Sequence, residues 1–420
     1  MKPVRFCMLT TFYPPYNFGG DGIGIERLCH GLVRRGHEVT VVHDVDAFRV
    51  LNGGREPAPA EHPDGLTVVG LRTRFPMLSE LLTHQTGRPV VQRRRLQGLL
   101  SRGQFDVINY HNISLIGGPG ILAMGDAVKL YMAHEHWLVC PTHVLWRHDR
   151  ERCTGKQCFR CTLSYRRPPQ LWRWTGLLER QLRHVDTFIA MSEASRDKHR
   201  EFGFQREMEV LPYFLPDPAD AAAPAAQQRP HERPYFLFVG RLEKIKGLDD
   251  VIPAFARYAD ADLLIAGEGT HGAALRALAA GNDRVRFLGH RDQEEVKRLY
   301  DHALALVVPS ECYETFGIIL IEAFRQRVPV IARRVGPLPE IVGKAQAGLL
   351  FDGPDELLAA LRELQADDAR RQELAENGHR AFLEHWTESA VVPRYLELAR
   401  DAAARRGDAE LAERLSCAES

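Results

Sequence analysis

"ALALVVPSECYETFGIILIEAFRQRVPVIA", residues 303–332, runs from one β-rich segment through a turn and an apolar helical segment into a second β-rich segment. That alternation is the unit of a parallel sheet covered by helices, and its strands are apolar throughout because both faces are buried. Within it, Glu314 and Glu322 stand on either side of Thr-Phe-Gly and an apolar run. On one helix, eight residues at about 1.5 Å each would separate them by about 12 Å. That is too far to share a proton or to flank one scissile bond as a carboxylate pair. It matches the reach of a nucleoside diphosphate sugar from ribose to hexose. In this reading "ETFG" opens the helix and turns its positive end to phosphates. Glu314 then holds sugar hydroxyls and Glu322 ribose hydroxyls.

The same alternation extends in both directions. "VRFCML", "EVTVVH", "LTVVG", "DVINY", "VKLYMA" and "DTFIAM" precede a Pro/Ala/Gln-rich stretch at 216–234, and "YFLFVG", "DLLIAG", "VRFLG", "ALALVVP" and "VPVIA" follow it. At 420 residues the chain exceeds a single core. The fold class expected is α/β: two Rossmann-like, doubly wound parallel-sheet domains facing across a cleft. The first spans 1–215, the linker 216–234 and the second 235–385, with a C-terminal helix at about 386–410. Open sheets of this type take ligands at the carboxyl ends of their strands.

Lys and Arg total 55 and Asp and Glu total 55, so no net charge points to nucleic acid. No run is apolar enough to span a bilayer, and the start reads as a strand, which makes the cytoplasm the expected location.

Three further loops follow strands. Gly19 and Gly20, ahead of a helix, are either a flexible turn or a close approach for an anion. Gly267, Gly269 and Gly272 spell G-x-G-x-x-G, but the next strand ends in Gly289 and His290 rather than in an acidic residue. A tight turn at the edge of the site is the better reading than a dinucleotide fingerprint. In "VGRLEKIKG", Arg241 and Lys246 offer a diphosphate one forked and one compact cation, with Gly240 and Gly247 keeping the backbone accessible.

Taken together, "PPYNFGG", "RRGHEVTVV", "FDVINYHN", "AHEHW", "VGRLEKIKG", "AGEG", "VRFLGH" and "PSECYETFGIILIEAF" resemble the GT-B retaining glycosyltransferases of family 4 over nearly the whole chain. The resemblance implies that Arg241 and Lys246 bind the donor diphosphate, Glu314 the donor sugar and Glu322 the ribose. It assigns backbone amides from Thr315 through Phe316 and Gly317 to Ile318 to phosphate or sugar. Gly20, beside Gly19, would close the site, Gly240 and Gly267 would border it, and His134 in "AHEHW" would line the reaction centre. The implied catalytic set is His134, Arg241, Lys246 and Glu314. The implied reaction moves a hexose from a nucleotide-diphosphate sugar to a glycan, lipid-linked or small-molecule acceptor, with retention and without a catalytic metal. A nucleotide-sugar epimerase of the same fold would need acid and base groups flanking the sugar carbon, and a non-catalytic binding protein would not need the whole donor site.

One loop departs from the family pattern. Cys140, Cys153, Cys158 and Cys161 are spaced C-x12-C-x4-C-x2-C in a basic segment. Structural zinc, free thiols and an oxidised pair remain open there. Beyond it, "SYRRPPQLWRWTGLLERQLRHVD" and "RPVVQRRRLQGLLSRG" interleave Arg with Trp and Leu. They are either a charged helix face or a basic, amphipathic surface for an anionic or lipid-linked acceptor and peripheral contact with a membrane's inner face.

Overall fold

A computed structural model describes residues 2–101, 105–218 and 229–416. The chain divides into two compact units. One runs to Asp149 and adds Thr154–Tyr213 and the segment from Val391; the other comprises Arg150–Cys153 and Phe214–Ala390.

The first unit is built on β1 (Arg5–Leu9), β2 (Glu38–Asp44), β3 (Leu66–Leu71), β4 (Val107–Tyr110) and β5 (Val128–Ala133). The two-residue strand β6 (Trp146–Arg147) lies in the loop that follows, β7 (Glu151–Arg152) falls in the short stretch that belongs to the second unit, and β8 (Thr187–Ala190) and β9 (Met208–Val210) complete the series. Seven strands form one parallel sheet in the order β3-β2-β1-β4-β5-β8-β9. β4, β5 and β8 are buried at every residue, as strands with helices on both faces must be.

The second unit uses β10 (Tyr235–Val239), β11 (Asp262–Ala266), β12 (Val285–Gly289), β13 (Leu306–Val308), β14 (Val330–Arg333) and β15 (Gly348–Phe351). Its six-stranded parallel sheet has the order β12-β11-β10-β13-β14-β15. Phe236, Leu263, Ile265, Val307 and Ile331 from four of these strands join one apolar core. No helix among the described residues is long and apolar enough to cross a membrane.

Three expectations change. Residues 219–228 of the 216–234 linker lie outside the described residues, but its ends are held within the second unit. Asp217 accepts from Ser389 Oγ at 2.8 Å, and His231 and Arg233 reach Asp262 of β11 at 2.7 and 3.1 Å. The single C-terminal helix expected at 386–410 is two, Glu388–Arg405 and Ala409–Ser416, because Gly407 adopts φ 79° between them. Edge strands β9 and β15 were not anticipated.

Trp386 stacks on Phe324 at 5.8 Å and its carbonyl accepts from Leu215 N, both within the second unit. From Val391 the chain packs on the first sheet: Tyr395 OH accepts from Asn109 of β4 at 3.1 Å, and Arg405 donates to Thr187 of β8 at 2.6 Å. Asp106, just before β4, joins both termini of this unit. It accepts from the Arg5 backbone at 2.9 Å, the Arg5 guanidinium at 2.8 Å and Arg414 at 2.9 Å. Burial would raise its pKa, but the Arg5 and Arg414 hydrogen bonds outweigh it and hold the carboxyl at about 2.

A carboxylate that binds its proton less readily folded than unfolded stabilises the fold fully above its ordinary value of 3.8, and this is lost as pH falls through about 2. Asp106→Asn should therefore lower the stability of the first unit by about 2 kcal/mol at neutral pH and by much less at about pH 1.5. Urea unfolding at the two pH values measures the difference, and an equal loss at both would contradict this role.

Candidate functional site

Strand order in the second unit reverses between β10 and β13, which are hydrogen-bonded neighbours with crossovers departing in opposite directions. Loops leaving the carboxyl ends of two such strands diverge and leave a crevice at the switch point. Here the β10 loop carries Gly240–Gly247, including the tight turn Lys244–Lys246, and the β13 loop carries Pro309–Gly317. At their bases the loops are fastened together. Glu311 N donates to the Ile245 carbonyl at 2.8 Å, and a Cβ at Gly247 would lie 2.1 Å from the Pro309 oxygen. Only glycine permits that approach, and its φ of 72° suits no β-branched residue.

Across the two loops Lys246 Nζ meets Glu314 Oε1 at 2.7 Å, and Ser310 Oγ donates to the same oxygen at 2.6 Å. Burial opposes both charges. It pushes Glu314 up, but the Lys246 ammonium and the Ser310 hydroxyl outweigh it and leave the carboxyl below its ordinary value. It pushes Lys246 down, but the attraction of Glu314 outweighs it and leaves the amine above its ordinary value. Both groups are therefore charged at neutral pH, in a partly buried setting where water screens them weakly. The helix Ile318–Arg325 starts four residues beyond Glu314, which brings its positive end close to the pair in sequence.

The 12 Å helical span expected between Glu314 and Glu322 does not apply. Gly317 has φ 111°, outside the helical region, so the helix starts at Ile318 and Glu314, Thr315 and Phe316 belong to the loop. Leu320, Ile321, Ala323 and Phe324 face the core, which leaves Ile318, Glu322 and Arg325 on the half-exposed face. Arg241 lies in the β10 loop with its side chain 60% exposed and paired with Glu243 at 2.9 Å. Gly240 N donates to the Ala266 carbonyl and Gly267 N to the Gly289 carbonyl, so both amides are engaged in the sheet end rather than offered to a ligand. The glycines at 267, 269 and 272 thus serve close packing of loop on loop, with a Cβ at Gly267 only 1.9 Å from the Gly240 oxygen.

Two contributors were not anticipated. Ser310 is one. The other is Arg333, buried at the end of β14, which donates to the Pro309 carbonyl at 2.9 Å and to Asp250 at 2.7 Å and so braces the β13 loop from behind.

In the first unit, Gly19 is the N-cap of the helix Gly20–Arg34, where Asn17 Nδ2 donates to its carbonyl at 2.6 Å. His134 follows β5 and is 8% exposed. Its Nε2 lies 2.8 Å from His111 Nδ1, and its Nδ1 is bonded to the Tyr213 hydroxyl. Burial pushes His134 down to about 3, so it is a neutral hydrogen-bonding group and not a proton store at physiological pH.

The four clustered cysteines are free thiols. Cys140 Sγ is 3.3 Å from Thr142 Oγ1, and Cys161 Sγ accepts from His148 N at 3.3 Å. Among the described residues, no group of three or more His, Cys, Asp or Glu is placed to hold a metal ion. Burial pushes the Cys158 and Cys161 thiols up.

Comparison with known proteins decides the family. The profile of glycosyltransferase family 4 matches residues 18–215, and that of glycosyl transferases group 1 matches residues 220–381. The chain belongs to the family 4 glycosyltransferases of GT-B fold. Glycogen synthase of Mycobacterium tuberculosis is 28% identical over 404 residues, covering 89% of this chain and 88% of that protein. Among solved structures, sucrose-phosphate synthase of Thermosynechococcus elongatus superposes with a TM-score of 0.71 at 20% identity, covering 96% of this chain and 100% of that one. The Anabaena protein HepE, solved with UDP and glucose, does so with a TM-score of 0.66 at 18% identity, covering 94% and 99%.

For this glycosyltransferase the Lys246–Glu314 pair should behave as one unit. Removing either partner leaves the other partly buried and uncompensated. In a double-mutant cycle on the thermal stability of the second unit, Lys246→Met and Glu314→Gln should show a coupling of about 1–3 kcal/mol. Additive effects would mean that the contact contributes nothing.

Proposed function

We propose that this glycosyltransferase moves a hexose from a nucleoside-diphosphate sugar to its acceptor with retention at the anomeric carbon, and that no metal takes part in the step. The observation that carries the reading is the ammonium of Lys246, held charged by Glu314 at the switch point and beside a helix start. As the bond from sugar to diphosphate breaks, negative charge grows on the diphosphate. Lys246, Arg241 and the first amides of the helix Ile318–Arg325 are the groups to stabilise it, and they act more strongly on the transition state than on the bound donor. Glu322, on the exposed face of that helix, is the acceptor for ribose hydroxyls.

Glu314 is ionised, with Oε1 shared between Lys246 and Ser310. Such a carboxylate can accept a hydrogen bond from a sugar hydroxyl through Oε2, but it is a weak nucleophile and has no proton to give. Front-face attack fits these groups. The acceptor oxygen bonds to the anomeric carbon on the side the diphosphate leaves, and the acceptor's hydroxyl proton passes to a departing diphosphate oxygen. The donor class is also supported by the names of relatives, a glycogen synthase and a protein solved with UDP and glucose.

Incubation with a panel of nucleotide hexoses should release nucleoside diphosphate only when an acceptor is present, and proton NMR of the product should show the donor's anomeric configuration. Release that needs no acceptor, or an inverted product, would overturn the reading. Lys246→Ala should lower kcat/KM by about 2–4 kcal/mol of transition-state stabilisation, and the exposed Arg241→Ala by about 1–2. Chelator should leave turnover unchanged; immediate loss restored by magnesium or manganese would contradict the metal-free step.

A further inference from the structure

A cavity of about 550 Å3 lies wholly within the first unit, between the loop that follows β5 and the turn between the helix Glu193–Glu201 and β9. Its apolar wall includes Leu138, Leu178, Leu182, Phe202 and Phe204. Its charged lining is Lys156, Arg173 and Arg206 against Glu179. None of the three cations is ion-paired with a carboxylate among the described residues.

Arg173 is the least ordinary of them. Its guanidinium is half-buried, lies 4.6 Å from the Trp172 ring centre and 5.3 Å from that of Trp137, and donates only to neutral oxygens, Gln170 Oε1 and the Trp137 carbonyl. Burial lowers its pKa to about 10, against a weaker attraction from groups that include Glu135, which is not in contact with it. Guanidinium is always cationic in proteins, so a half-buried one that donates only to neutral oxygens leaves much of its charge to be met by something else.

The cavity's mouth has a second property. Trp174, part of the lining, is 58% exposed, and Phe159, its ring centre 6.2 Å away, is 54% exposed. Leu163 and Leu171 on the same two short helices are also exposed. Large apolar groups beside arginines suit the boundary between headgroups and acyl chains, where one end is apolar and the other wet.

We propose that this cavity binds a lipid phosphate: the phosphate neutralises Arg173, Lys156 and Arg206, and the first part of the acyl chain lies against the apolar wall. Phe159, Leu163, Leu171 and Trp174 rest on the membrane surface from which the lipid enters. A free sugar would find a single carboxylate here, and an inorganic anion would leave the apolar wall unused. Every lining residue belongs to the first unit, so the site stands independently of the donor assignment.

The test is calorimetry of the full chain with dihexanoyl phosphatidic acid, dihexanoyl phosphatidylcholine and inorganic phosphate, alongside sedimentation with phosphatidylcholine vesicles with and without phosphatidylglycerol. The short phosphatidic acid should bind, inorganic phosphate should bind far more weakly, and phosphatidylcholine should not bind. The exposed pair Lys156→Glu and Arg206→Glu should weaken the phosphatidic acid about tenfold. Cys158, half-buried in the lining, supplies a readout without mutation: its alkylation, followed by mass spectrometry, should slow with the short lipid and not with phosphate. Equal binding and protection by inorganic phosphate would overturn the amphiphile. Sedimentation with anionic vesicles but no binding of the soluble lipid would reduce the site to surface attraction.

Discussion

Two parallel strands that run side by side while their connections leave in opposite directions cannot close the space above their ends. In the second unit those strands are β10 and β13. The proposed donor site draws its groups from that reversal: a cation from one loop, a carboxylate and a helix start from the other. The Lys246–Glu314 contact joins residues 68 apart in sequence and fixes how the two loops meet. Gly247 allows the approach, Ser310 shares the carboxylate and Arg333 holds the β13 loop in place. The pair also sets the protonation states, since each charge outweighs the cost of burying the other.

The two units handle charge differently. In the second unit an ionised pair sits where a charged ligand would arrive, so it is prepared rather than neutralised. In the first, the histidines beside the central strands are desolvated into neutral forms, and His134 is bonded to Tyr213 and His111. In the same unit Arg173, half-buried and donating only to neutral oxygens, lines a cavity.

Much of this was legible in the sequence because long, fully buried strands leave unmistakable apolar runs. The edge strands β9, "MEV", and β15, "GLLF", offer only three and four residues and were missed. The loop cations were legible because Arg241 and Lys246 sit between glycines after a strand. The Lys246–Glu314 contact was not, since pairing between distant loops depends on sheet order rather than on spacing. Gly317 was read as part of a helix opening, whereas its φ of 111° ends the loop and keeps Glu314 off the helix. Ser310 and Arg333 act by position alone and belong to no pattern. The cysteine spacing suggested a closed cage; among the described residues no group of three or more His, Cys, Asp or Glu is placed to hold a metal ion.

The most direct test is a crystal structure of the protein with a bound nucleoside diphosphate. The account requires a diphosphate oxygen within hydrogen-bonding distance of Lys246 Nζ, the phosphates at the start of the helix Ile318–Arg325, and the ribose hydroxyls on Glu322. A diphosphate bound away from the β10 and β13 loops, with the Lys246–Glu314 pair untouched, would contradict it.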